Sequence, residues 1–227
     1  MNNLVDAIDR AAVLAASGDP DGAATTLSGV TRFVDTEPDP AILLRYADAC
    51  RRWGPPEAEE TALRTVIHRG PSLEALERLL DLLQQRLNVP NGEQPKAVIA
   101  DCERLGTEAI ELLPETSSLR WANLVHARGL RRLELALLGM QERVPGARAD
   151  LEAYRSWLEL NESVPAHMKR TNLMALLDID MADLDLVEHR PEVAVRRLES
   201  AIATLEGSKA PKWWIDRAYS LLERAYR

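Results

Sequence analysis

Phenylalanine occurs once in 227 residues, and aromatic residues together make up 4%. Alanine and leucine are abundant instead. Such small and straight-chain side chains lose little entropy in a helix, whereas β-branched and aromatic ones lose more. No run alternates apolar and polar residues as a half-buried strand would. Cysteine occurs twice, as Cys50 and Cys102, with no CxxC pair. Two cysteines cannot frame a fold of this size, so each reads as a buried free thiol in an apolar-periodic run. A reducing cytoplasm fits that usage. Basic residues are outnumbered, 28 Lys and Arg against 36 Asp and Glu, for a net charge of −8. A nucleic-acid partner needs a basic footprint and is disfavoured. No uncharged apolar run approaches the roughly 18 residues a membrane span requires. The start, Met1-Asn2-Asn3-Leu4-Val5-Asp6, lacks the basic head of a signal peptide.

Catalytic signatures are also missing. There is no glycine-rich phosphate loop and no Gly-x-Ser-x-Gly elbow. The histidines, His68, His126, His167 and His189, show no HxxxH, HExxH or Glu-x-x-His spacing. His126 reads as a hydrogen-bonded core residue and His189 as a partner of a helix C-terminus. Asp178, Asp180 and Asp183 are close in sequence but do not share one helical face. Asp180 and Asp183 lie about 200° and 140° around a helix from Asp178. The expectation is a protein with no catalytic residue, metal or cofactor.

What the chain does carry is a unit written twice. Trp121-Ala122-Asn123-Leu124 opens a long apolar-periodic run, and Arg170-Thr171-Asn172-Leu173 opens another 49 residues later. Each is followed by a second helical run and a proline, Pro165 or Pro211. A fixed period of this size marks stacked helix pairs. Proline or glycine breaks the chain into eleven expected helices: Leu4 to Ser17, Pro20 to Asp35, Pro40 to Trp53, Pro56 to Arg69, Ser72 to Leu87, Pro95 to Leu113, Ser117 to Gln141, Ala147 to Asn161, Ala166 to His189, Pro191 to Glu206 and Pro211 to Tyr226. Asp19, Asp39, Ser72 and Ser117 suit N-caps. Gly18, Gly54, Gly70 and Gly207 suit left-handed C-terminal caps. Short loops make consecutive helices antiparallel neighbours. The result is one domain over 1–227, of five hairpins and a C-terminal capping helix, with a candidate flexible joint at 88–94.

Several segments resemble the tetratricopeptide repeat. Gly18-Asp19-Pro20-Asp21-Gly22-Ala23, followed by Leu27 and Val30, is similar to its second-helix pattern. Cys102, Gly106, Ala109 and Pro114 keep the spacing, as do Ala194, Leu198 and Ala201. Trp121 and Leu124 stand where the first helix carries Trp and Leu, while Val125 and Arg128 replace its Gly and Tyr. The resemblance implies a right-handed α-α superhelix whose concave groove holds a peptide or helix of a partner. In that register Ala122, His126 and Gly129 would line the groove.

A helical wheel gives a different face. Leu119, Ala122, Leu130, Leu133, Leu137 and Met140 share the apolar arc of the seventh helix, with His126 inside it. Arg120, Arg128, Arg131 and Arg132 lie opposite, with Leu124 and Leu135. One reading is a cationic shelf for an acidic peptide, with Arg120, Arg128 and Arg131 holding its carboxylates and Leu124 and Leu135 its apolar groups. The other is intramolecular pairing, with Arg131 beside Asp180 and Glu134 beside Asp183: the acidic end of the ninth helix opposes its dipole, and lateral arginines of the seventh and eleventh helices could compensate it. In the last helix Trp213 falls on the polar side, a candidate anchor for a partner or for a second copy. The functional expectation is a peptide-binding or protein-binding scaffold, or else a self-assembling subunit, with an unrecognised helical enzyme or small-molecule binder as the third reading.

Overall fold

The computed structural model describes residues 3–87, 96–116, 118–161 and 169–227. It is all-α. Eleven α-helices occur among the described residues: α1 Asn3–Ala16, α2 Pro20–Val30, α3 Pro40–Trp53, α4 Pro56–Arg69, α5 Leu73–Leu87, α6 Lys96–Glu111, α7 Leu119–Leu137, α8 Val144–Leu160, α9 Arg170–Val187, α10 Pro191–Gly207 and α11 Lys212–Ala225. No strand occurs among these residues. The chain divides into two compact units, Met1–Gly92 and Glu93–Arg227. The joint expected at 88–94 lies outside the described residues, as do Ser117 and His167.

Local chemistry explains where these helices begin. Asp19 accepts the Gly22 N–H at 2.8 Å and Asp39 accepts the Ala41 N–H at 2.8 Å. Ser72 accepts from Ala75 at 3.3 Å. The cap of α7 is Ser118, which accepts from Trp121 at 3.1 Å. Helix α8 starts at Val144 rather than Ala147, because Pro145 sits in the first turn, where its missing N–H has no partner to lose.

Two expectations are corrected. The run from Pro20 to Asp35 is not one helix: α2 stops at Val30 and a 3-10 turn follows over Thr31–Thr36. The cause is Tyr46. Its hydroxyl donates to the Leu27 carbonyl at 2.7 Å, the oxygen Thr31 N–H would use in an α-helix. Thr31 N–H turns to Ser28 instead. Of the four expected left-handed glycines only Gly18 is one, at φ 88°. Gly54 and Gly70 each precede a proline, which drives the backbone out of the helical region. Gly207 remains inside α10, and the left-handed residue is Lys209 at φ 56°. Gly139 and His189 take the same role after α7 and α9. All four share one cap. At α7, for instance, Met140 N–H returns to Leu135 and Gly139 N–H to Ala136.

Within each unit every helix packs on the next, and alternate helices also touch: α1 on α3 in the first, α7 on α9 and α9 on α11 in the second. Side-chain pairs give the directions. Arg148 meets Asp185 and Arg155 meets Asp178, so α8 and α9 run antiparallel. Arg217 meets Asp180 and Arg224 meets Asp183, so α9 and α11 run parallel. In the first unit Leu27, Leu43, Tyr46, Leu63 and Leu79 are fully buried. In the second, α9 serves two apolar clusters. Leu177, Met181 and Leu184 join α7 and α8, while Ala175, Ile179 and Ala182 join α10 and α11.

Candidate functional site

Helix α7 carries most of the residues expected to bind a ligand, and most of them are already occupied. Arg128 forks onto Asp150 of α8, Nε to Oδ2 at 2.9 Å and Nη2 to Oδ1 at 2.7 Å. Arg132 joins the same carboxylate at 2.9 Å and also reaches Glu103 of α6 at 3.0 Å. Glu103 and Asp150 are buried. Arg131 pairs with Glu134 of its own helix at 2.8 Å. Burial holds the Glu134 carboxyl above its usual range, against the pull of Arg131 and Arg217. Leu135 is fully buried and Leu124 half-buried. Arg120 is exposed.

The wheel of α7 is corrected as well. Ala122, Val125, Gly129, Leu133, Leu135 and Ala136 are its buried residues, while Leu119 and Leu137 are exposed. Close approach of α8 moves the contact face. An added Cβ on Gly129 would stand 3.0 Å from the Asp150 Cβ and 3.2 Å from Leu151 Cδ2. Gly129 is therefore buried, and so is Ala122. His126 stacks on Tyr154 at 4.3 Å between centroids and meets Asp180 at 3.3 Å.

The acids of α9 find partners: arginines of α11 as expected, but arginines of α8 and α10 in place of those of α7. Asp185, fully buried, receives Arg148 at 2.8 Å, Arg190 at 2.6 Å and Arg197 at 2.8 Å. Asp178 receives Arg155 and Arg197. Asp180 takes His126 and Arg217 rather than Arg131, and Asp183 takes Arg224. Compensation comes from α8, α10 and α11, with only a histidine from α7. Unpaired, the buried carboxylates Asp180, Asp183 and Asp185 would each carry a desolvation cost of several kcal/mol. This lattice fixes the packing of the unit and leaves little of its charge for a ligand.

Other surfaces remain open. Trp213 is 66% exposed and stands edge-on to Trp214, with centroids 5.5 Å apart. Tyr219 and Tyr226 are exposed on the same helix. On the first unit an open cleft of about 480 Å³ lies between α1 and α2, with Asp6, Arg10, Thr26, Arg32 and Phe33 on its walls. A narrower polar cleft of about 110 Å³ lies beside Cys50, Arg51, Glu59 and Gln85. Glu59 is buried, its Oε1 accepts no hydrogen bond, and burial pushes its carboxyl up despite Arg51 and Arg78. Among the described residues no group of three or more His, Cys, Asp or Glu is placed to hold a metal ion. No described helix is long and apolar enough to cross a membrane.

The geometry defines an all-α protein of serially packed helices. Compared with models of known families and with curated proteins, the chain matches none. Glu59 carried no signal in the sequence, because its neighbours arrive from α3 and α5. The exposed acids of α10 did carry one, a seven-residue recurrence at Glu192, Glu199 and Glu206.

Proposed function

We propose that the chain is a non-enzymatic, tetratricopeptide-like scaffold that binds another protein, and that α11 is its recognition helix. The observation that carries this reading is the exposure of Trp213, Tyr219 and Tyr226 on that one helix. Exposed aromatics supply large contact area with few rotors to freeze, and they dominate the energetics of interfaces. The arginines of α7, by contrast, already hold partners inside the fold. A ligand at Arg128 would have to displace a two-point bond to a buried carboxylate. Both cysteines are buried and neither forms a disulfide, which supports a cytoplasmic setting.

The test is selection of a random peptide library on the wild type. Enriched binders are then measured on Trp213→Ala and Tyr226→Ala, each checked for native circular dichroism. A hot-spot aromatic is worth at least about 2 kcal/mol, or roughly 30-fold in affinity. Loss of that order in either variant is expected. Binders that hold equally to all three proteins would remove α11 from the role. A self-associating wild type that becomes monomeric in Trp213→Ala would convert the scaffold into a self-assembling subunit.

A further inference from the structure

Where α10 meets α11, an apolar row runs beside an acidic one. On α11, Ile215, Tyr219, Leu222 and Tyr226 recur at spacings of four, three and four, so they form one stripe. Ile215 and Leu222 are only half-buried, packed against the edge of the core cluster below them. On α10, Glu192, Glu199 and Glu206 recur every seventh residue, and all three are exposed. The two rows meet. Tyr226 donates to Glu199 Oε1 at 3.3 Å and Tyr219 donates to Glu206 Oε1 at 3.1 Å. Ile202, 6% exposed, lies between them on α10. This is a half-buried apolar stripe edged by carboxylates and phenols.

The charge of that edge is the informative part. The acids of α9 from Asp178 to Glu188 all meet an arginine. Glu192, Glu199 and Glu206 pair with no cation among the described residues, although Arg196 is exposed on the same helix. The phenols that touch Glu199 and Glu206 are neutral. They orient the carboxylates and leave their charge intact. Seven residues of helix set these two charges about 10 Å apart along α10. The bond to Glu206 holds the Tyr219 phenol above its usual value, so it stays a donor.

From this we infer that the α10/α11 face docks an amphipathic helix of a partner protein, with an apolar stripe flanked by Lys or Arg at seven-residue spacing. Its apolar residues cover Ile215, Leu222 and the tyrosine rings. Its cations reach Glu199 and Glu206, the arrangement by which flanking charges select partners in helix pairs. The inference rests on the scaffold reading above and names the chemistry of the partner. Trp213 lies on a different face of α11, about 120° or more from the tyrosine stripe by the helical repeat.

The test uses two synthetic 18-residue helical peptides with one leucine stripe. One carries Lys and the other Glu at the flanking seven-residue positions. Fluorescence anisotropy measures both on the full chain, on E199K/E206K and on Trp213→Ala. The expected result is saturable one-to-one binding of the Lys peptide, at least tenfold tighter than the Glu peptide and weakened by salt. In E199K/E206K that preference inverts, and in Trp213→Ala it persists. Equal binding of the two peptides, or a preference unmoved in E199K/E206K, overturns the inference. So does self-association of the wild type that E199K/E206K abolishes, since the occupant is then a second copy. If neither peptide binds while library-selected binders still need Trp213, the basic-helix inference fails and the scaffold reading stands. If no library peptide binds either, both fail.

Discussion

Arg128 and Asp150 form a two-point bond, 2.9 and 2.7 Å, that ties α7 to α8 with Arg132 on the same carboxylate. Asp150 is 4% exposed. Removing one partner leaves charge stranded in a poorly hydrated layer, which costs roughly 3–5 kcal/mol. Asp150→Leu is therefore expected to lose about that much in urea unfolding. Arg128→Met combined with Asp150→Leu should recover part of it, because fewer charges are left unpaired. A double mutant no more stable than the worse single variant would show that the pair does not act as a unit. Arg128→Glu would set two carboxylates together, so loss of ligand binding in that variant would report misfolding.

Two glycines near this bond have opposite prospects. A Cβ at Gly129 meets Leu151 Cδ2 at 3.2 Å and Asp150 Cβ at 3.0 Å, and Asp150 is held in place by Arg128 and Arg132. Gly129→Ala is expected to cost about 1–3 kcal/mol, as overpacking does. At Gly106 the nearest atom to an added Cβ is Arg128 Cβ at 3.6 Å, an ordinary contact. Gly106→Ala should gain about 0.5–1 kcal/mol from the helix propensity of alanine. The two shifts in Tm should have opposite signs. Destabilisation by Gly106→Ala would mean that α6 and α7 pack more tightly than their backbones indicate.

Helix number and order were legible because proline, glycine and cap residues punctuate this chain at nearly every turn. Asp19 and Asp39 cap the helices they precede in the sequence. What depends on a distant side chain was not legible. The end of α2 is set by Tyr46, which is nineteen residues away from Leu27. The face of α7 is set by how closely α8 approaches Gly129. Arg128 stayed open between a ligand shelf and an internal pairing because its partner Asp150 lies on another helix. The opposed dipole of α9 indicated that its acids need cations, yet a 49-residue period cannot say which of four neighbouring helices supplies each one. Trp213 was legible, since one aromatic among polar positions of a wheel needs no tertiary information.

Glu59 gives a pH dependence with a definite sign. Its carboxyl is raised in the folded protein, chiefly by burial, and its Oε1 has no donor. Below the unfolded pKa, about 4.3, both states hold the proton and the group has no effect. As pH rises through the folded value, the folded state retains its proton longer than the unfolded chain, so stability falls. Glu59→Gln removes that loss. It should match the wild type near pH 4 and exceed it at pH 7 by roughly 1–3 kcal/mol, the scale of a buried group left unsatisfied. Urea unfolding at both pH values checks it. A difference independent of pH would assign the effect to packing instead.

Cys50 tests the same core from a different direction. It is 1% exposed, and its thiol is pushed up to about 12, first by burial and further by Glu59, against a hydrogen bond with Tyr46. Only the thiolate attacks a disulfide or an alkylating reagent. At pH 8 the folded protein should therefore leave Cys50 unmodified for as long as the first unit stays closed. Cys102 is equally buried in the second unit. Peptide mapping after timed iodoacetamide labelling separates the two. Each cysteine should react at least about 100-fold more slowly than in urea, at a rate set by opening of its own unit. Glu59→Gln removes one anion beside the thiol but leaves its burial, so Cys50 should stay protected. Rapid native labelling of Cys50 in the wild type would mean that the α3–α4 contact opens far more often than its packing implies.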